Sequence, residues 1–130
     1  MKTLLFIATA LIITSTAYGQ NTVVNGKLTA YNTFPVMNVE VSSKKAKATT
    51  VSDSLGNFSI VCLEKDVIQV KAKTFQQESI KVNNQKDSLK INLVFIDTKK
   101  NRELAVNSGF MTERNLNYAI ANLAEQNNDY

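Results

Sequence analysis

The chain has 130 residues, with fifteen Lys and Arg against eleven Asp and Glu for a net charge of +4, one cysteine (Cys62) and no histidine. Without His, the commonest general base and metal ligand is missing, and Ser-His-Asp and Cys-His arrangements are excluded within this chain. A lone Cys excludes an intramolecular disulfide, and the mild positive balance lacks the broad basic face with interleaved aromatics that nucleic-acid binding needs.

Residues 1–19 read as a secretory signal. Lys2 is its charged start, Leu4 to Ile13 its apolar run and Ala17-Tyr18-Gly19 its small-x-small cleavage site, so Gln20 is the expected first mature residue. The run is shorter than the roughly 20 residues that a membrane span takes. After cleavage no integral membrane span is expected, and no Cys stands near the site to carry a lipid anchor. An uncleaved anchor is the alternative.

From Thr22 onward, short alternating runs follow one another with turn signals between them. Thr22 to Leu28 opens the series, and Tyr31-Asn32-Thr33-Phe34-Pro35 reads as a loop, because Pro35 lacks an amide donor. Val36 to Ser43 alternates with Val39 and Val41 on one face, and Ala48 to Ser52 is rich in Thr and Val. Lys44-Lys45-x-Lys47 between them reads as a solvated turn. Asp53-Ser54-Leu55-Gly56-Asn57 is a polar turn closed by glycine, where Asp53 and Asn57 favour turn geometry and Gly56 tolerates positive φ. Phe58, Ile60 and Cys62 then point one way, with Ser59 and Val61 opposite. In that row Cys62 reads as a small buried hydrophobe.

Glu64-Lys65-Asp66 makes the next turn. Val67 to Lys73 alternates, with Ile68, Val70 and Ala72 on one face. Phe75 to Val82 is a further strand, and Asn83 to Asp87 a polar turn. Leu89, Ile91, Leu93 and Phe95 form the clearest period-two row, with Ser88, Lys90 and Asn92 opposite. About seven short strands at this spacing predict an all-β, two-layer antiparallel sandwich over residues 20–96. Residues 97–111 read as a linker that is irregular from Arg102 on, with Gly109 a break. Residues 112–130 read as one C-terminal helix and a polar tail: Thr112 caps a helix running from about Glu113 to about Gln126. Leu116, Ala119, Ile120, Leu123 and Ala124 make its apolar stripe.

Three stretches carry a family resemblance: Val24-Asn25-Gly26-Lys27-Leu28, Pro35-Val36-Met37-Asn38-Val39-Glu40-Val41, and Val51-Ser52-Asp53-Ser54-Leu55-Gly56-Asn57-Phe58. In order and spacing the span from Val23 to Phe95 resembles a carboxypeptidase-regulatory-like domain. The family pattern is a Val-x-Gly-x-Val opening, a strand of the form pl-x-x-V-x-V and a Thr-Asp-x-x-Gly-x-Phe turn. Here Leu28 replaces the last Val of the opening, Ser52 stands where Thr is usual, and Thr74-Phe75 replaces an expected Gly-aromatic pair. The resemblance implies a seven-stranded transthyretin-like sandwich with no peptidase activity of its own. It also implies a place in the periplasm or at the periplasmic face of the outer membrane, where such domains precede the plug of TonB-dependent receptors. Asn101-Arg102-Glu103-Leu104 and the following helix resemble the linker to such a plug.

Three functions follow as expectations. The first is a non-enzymatic envelope module that docks a protein partner, such as a TonB-dependent receptor or its plug, through a strand edge or through Leu116, Ile120 and Leu123. For that stripe, closing one end of the sandwich is the equal alternative. The second is a free-standing module for a glycan or peptide, with Tyr31, Phe34 and Phe75 as loop aromatics. The third is an enzyme built on Asp53, Glu64 and Asp66, disfavoured because nothing indicates a cleft that holds two carboxylates at a set separation. No cofactor is expected. Asp53 and Asn57 fall short of the six to eight oxygen ligands that calcium takes, so no metal is expected either. Asp53, Gly56, Asn57 and Phe58 are expected to be structural turn residues.

Overall fold

A computed structural model describes residues 21–83, 88–123 and 126. The signal reading of residues 1–19, most of the Asn83–Asp87 turn, Ala124 and the polar tail lie outside the described residues.

The described residues form eight strands and two helices. The strands are β1 (Thr22–Ala30), β2 (Phe34–Pro35), β3 (Glu40–Ser43), β4 (Thr49–Val51), β5 (Asn57–Cys62), β6 (Val67–Val70), β7 (Glu78–Lys81) and β8 (Leu89–Leu93). The helices are α1 (Lys99–Asn107) and α2 (Glu113–Asn122). One sheet is centred on β1, which pairs antiparallel with β2 and β5 and parallel with β8. The other runs β4-β3-β6-β7, antiparallel throughout.

Period-two burial builds the core as the alternation predicts. In β5, Phe58, Ile60 and Cys62 are buried while Asn57, Ser59 and Val61 are exposed. Val24, Leu28 and Ala30 of β1 join them, with Val41 of β3, Ile68 and Val70 of β6, and Ile91 and Leu93 of β8. Both sheets feed one continuous apolar cluster, so the fold is a sandwich-like all-β layer pair.

Four expectations need correction. The segment expected as a loop contains β2, paired as Thr29↔Pro35 and Ala30↔Phe34. Val36 N donates to Leu28 O at 3.0 Å, so the hydrogen-bonded pair is the next one along. Pro35 then falls at a non-hydrogen-bonded position, where its missing amide costs nothing. The sandwich is also not wholly antiparallel, since β8 runs parallel to β1 from Gly26↔Leu89 to Ala30↔Leu93.

The third correction concerns the linker, which contains α1. Thr98 caps it, its Oγ1 accepting from Asn101 N at 3.0 Å. Ala105 is fully buried, with Leu104 and Val106 half-buried beside it. The three adjacent apolar residues hide the helical period. The helix ends in a Schellman motif: Gly109 N donates to Val106 O and Phe110 N to Ala105 O, with Gly109 at φ +77°. Asn38 Nδ2 donates to Gly109 O and Met37 N to Phe110 O, so this turn is tied to the segment before β3.

Fourth, Asn92 is not on a wet face. It is 5% exposed, and Ile91 and Leu93 on either side are buried as well. Its Oδ1 accepts from Thr29 Oγ1 and Asn32 N, and its Nδ2 donates to the Gln126 carbonyl at 2.8 Å. The Gln126 side chain accepts from Phe95 N at 2.7 Å and donates to Phe95 O at 3.3 Å. A side-chain amide thus does for the end of β8 what a neighbouring strand does elsewhere. Helix α2 starts on its predicted cap, Thr112 Oγ1 accepting from Asn115 N at 3.1 Å, and ends at Asn122, short of the expected Gln126.

Two substitutions probe this packing. Leu116 is 1% exposed, so Leu116→Ala should lower the unfolding free energy on the order of 3 kcal/mol, read by urea denaturation. Among the described residues Thr74 Oγ1 is an enclosed hydroxyl with no hydrogen-bond partner. Thr74→Val keeps the shape and removes that group, and should raise stability by about 1 kcal/mol, seen as a higher Tm.

Candidate functional site

The Asp53–Phe58 turn is closed by its own groups. Asp53 Oδ1 accepts from Leu55 N and Asn57 N, both at 2.9 Å. Gly56 N donates to Asp53 O, and Asp53 N to Asn57 O. Gly56 sits at φ +82°, and a Cβ there would run into Leu28 O. Gly56 O in turn accepts from Leu28 N at 2.8 Å. The Phe58 ring lies over Gly26, its partner in the β1–β5 register. Ser52, buried, donates from its hydroxyl to Val36 O at 2.9 Å and accepts from Val39 N at 3.1 Å. The three motifs read in the sequence therefore meet at one junction around Leu28.

A second junction is built on Asp66, which is fully buried. Its Oδ1 accepts from Lys45 N at 2.6 Å and from Val67 N at 2.8 Å, and its Oδ2 from Ala46 N and Leu63 N at 3.0 Å each. Burial alone would raise this carboxyl, but the amides of Leu63, Lys45, Val67 and Ala46 outweigh it and hold it below the ordinary 3.8. Both carboxylate oxygens are spent on joining the β3–β4 turn to the β5–β6 turn. The sequence offered Asp66 as a turn carboxylate; its four backbone donors come from segments about twenty residues apart, so only the fold reveals them.

The apolar stripe of α2 lies against the domain. Leu116 and Ala119 belong to the buried core, and Ile120 and Leu123 pack partly buried against it. Leu116, 1% exposed, thus offers no surface to a partner in this packing. Of the three loop aromatics, Tyr31 and Phe75 are buried. Only Phe34 remains near the surface, edge-to-face with the exposed ring of Tyr118 at 6.1 Å between centroids. Sequence reasoning missed Tyr118, which stands outside the α2 stripe. Cys62 is buried, and burial together with the nearby Asp66 charge pushes its thiol up to about 11. At neutral pH it is a protonated, enclosed thiol rather than a nucleophile. Among the described residues no three His, Cys, Asp or Glu side chains converge as a metal cluster, and no helix is long and apolar enough to cross a membrane.

No family model matches this chain, and no curated protein matches it. The resemblance to carboxypeptidase-regulatory-like domains rests on the residues quoted for it.

The Asp66 junction has a signed pH dependence. A carboxyl depressed in the folded state contributes fully above its ordinary pKa, and the contribution is lost as pH falls through the lower folded value. Asp66→Ala should cost on the order of 3 kcal/mol at neutral pH, and Asp66→Asn should flatten the acid limb of a stability-versus-pH curve below about pH 4. Cys62 should resist a thiol-specific reagent at pH 8 in the native protein and react fully once the chain is unfolded in guanidinium.

Proposed function

We propose that this chain is a non-enzymatic interaction module of the cell envelope, with a transthyretin-like sandwich of the carboxypeptidase-regulatory-like kind. In this reading it is exported and lies in the periplasm or at the periplasmic face of the outer membrane. It serves as an accessory to a TonB-dependent receptor, or as the extension that precedes the receptor's plug.

One observation carries the reading. The three motifs on which the resemblance rests converge on a single junction: Gly26 opposite Phe58, Leu28 bonded to Gly56 and Val36, and Ser52 bonded to Val36 and Val39. Unrelated short matches have no reason to meet in space. The step from fold to role is by analogy to that family. The use of Asp53 and Asp66 as backbone acceptors further supports a scaffold over a reaction centre.

With the α2 stripe packed inside, the sheet edges are left for a partner. β4 and β7 end the second sheet, and Val51 on β4 is 56% exposed. A partner strand added there would pair through main-chain bonds.

Cell fractionation with an antibody against residues 22–96 tests the proposal. A periplasmic or outer-membrane band is expected. A soluble band at the mass of the mature chain assigns an accessory protein, and a much larger outer-membrane band assigns a receptor extension. Retention in the cytoplasm with residues 1–19 still attached would overturn the reading.

A further inference from the structure

We infer that the end of the domain formed by the β3–β4 and β5–β6 turns is a docking surface for an anionic phospholipid bilayer. The Asp66 carboxylate binds the amides of Lys45 and Ala46 on one turn and of Leu63 and Val67 at the other. That junction gathers Lys44, Lys45, Lys47 and Lys65 at one place, all exposed. Lys81 joins them, since it pairs with Val67 in the register and Val82 N donates to Asp66 O at 2.8 Å. The negative charge that holds the cluster together is itself fully buried. Glu64 is the one other carboxylate of these two turns. Against these five lysines the two turns expose one carboxylate, that of Glu64.

One further observation favours a bilayer over an acidic protein. Val23 and Val61 are a cross-strand pair at this same end, 60% and 39% exposed on the outer face of the sheet. Val61 is tied to the lysine turn, because Ser43 Oγ donates to Val61 O just before Lys44. An exposed apolar pair beside a ring of ammonium groups matches the headgroup boundary of a membrane, where charge attracts and small apolar groups insert. Backbone amides clamp the two turns in place, so the lysines are presented on a rigid base.

The surface acts by charge and burial alone and needs no receptor, so it stands apart from the envelope reading. The test is co-sedimentation of the full chain with vesicles of phosphatidylglycerol and phosphatidylethanolamine, against vesicles of phosphatidylcholine. Any contribution of residues 1–19 is common to both, so the difference between them is the readout. Preferential binding to the anionic vesicles is expected, weakened by salt. Each lysine removed should reduce that preference about fivefold, and the combined variant K44Q/K45Q/K47Q/K65Q should lose about a hundredfold or more. A control of equal charge change, K27Q/K71Q/K73Q/K90Q, should lose far less. Val61→Asn should weaken binding to the anionic vesicles at high salt, where charge is screened. Circular dichroism and Tm establish that each variant is folded; the lysines are exposed and outside the core. Equal binding to both vesicle types would overturn the inference, as would equal loss in the two lysine variants. Polyglutamate binding stronger than vesicle binding would overturn it in favour of an acidic partner.

Discussion

Over Gly26–Ala30, strand β1 is paired on both sides. β5 and β2 occupy one side of it and β8 the other, and β8 arrives parallel from more than sixty residues away. A parallel strand in a small sheet has to be covered on both faces, because the crossover that brings it there lays other elements over it. Ile91, Asn92 and Leu93 are accordingly all buried. The C-terminal segment joins the same core: Gln126 bonds Asn92 and Phe95, and α2 inserts Leu116 and Ala119. The segment expected to be a linker and an appended helix is therefore part of the domain. Removing it would take the Gln126 bonds from Asn92 and Phe95, and Leu116 and Ala119 from the core.

Polar chemistry in this molecule is directed at the backbone. Asp53 closes its own turn, Ser52 bridges two segments, and Asp66 holds two turns through four amides. A buried carboxylate costs several kcal/mol unless its oxygens are filled, and charge-assisted bonds to amides are among the stronger ones available. Here the same group has a second consequence. It draws lysine-bearing turns together from beneath the surface, so that end of the domain exposes more lysines than carboxylates. The structural device and the electrostatic surface have one cause.

How far the residues alone carry the argument differs from element to element. Phe58/Ile60/Cys62 and Ile91/Leu93/Phe95 were legible as inward rows because alternation is a local property of a strand. The Asp53–Gly56 turn was legible because only a few residue types satisfy its geometry, and Thr112 because a capping hydroxyl precedes a helical stripe. β2 was not, since a Pro next to an aromatic reads as loop until the register puts it at a non-bonded position. α1 was not, since Leu104-Ala105-Val106 shows no period by itself. For the site, the motifs of the Leu28 junction were visible separately, and the four donors of Asp66 were not visible at all.

Sequence by itself determined the all-β class, the faces of the strands, the main turns, the start of α2 and the exclusion of His-based and disulfide chemistry. These follow from side-chain period, turn stereochemistry and composition, all of which act within a few residues. Tertiary structure alone decided that β8 runs parallel to β1, that Asn92 is buried, that Leu116 faces the core and that the lysine turns share one buried carboxylate. Each of those depends on which distant segment lies opposite, and a periodic pattern marks a face without naming what covers it.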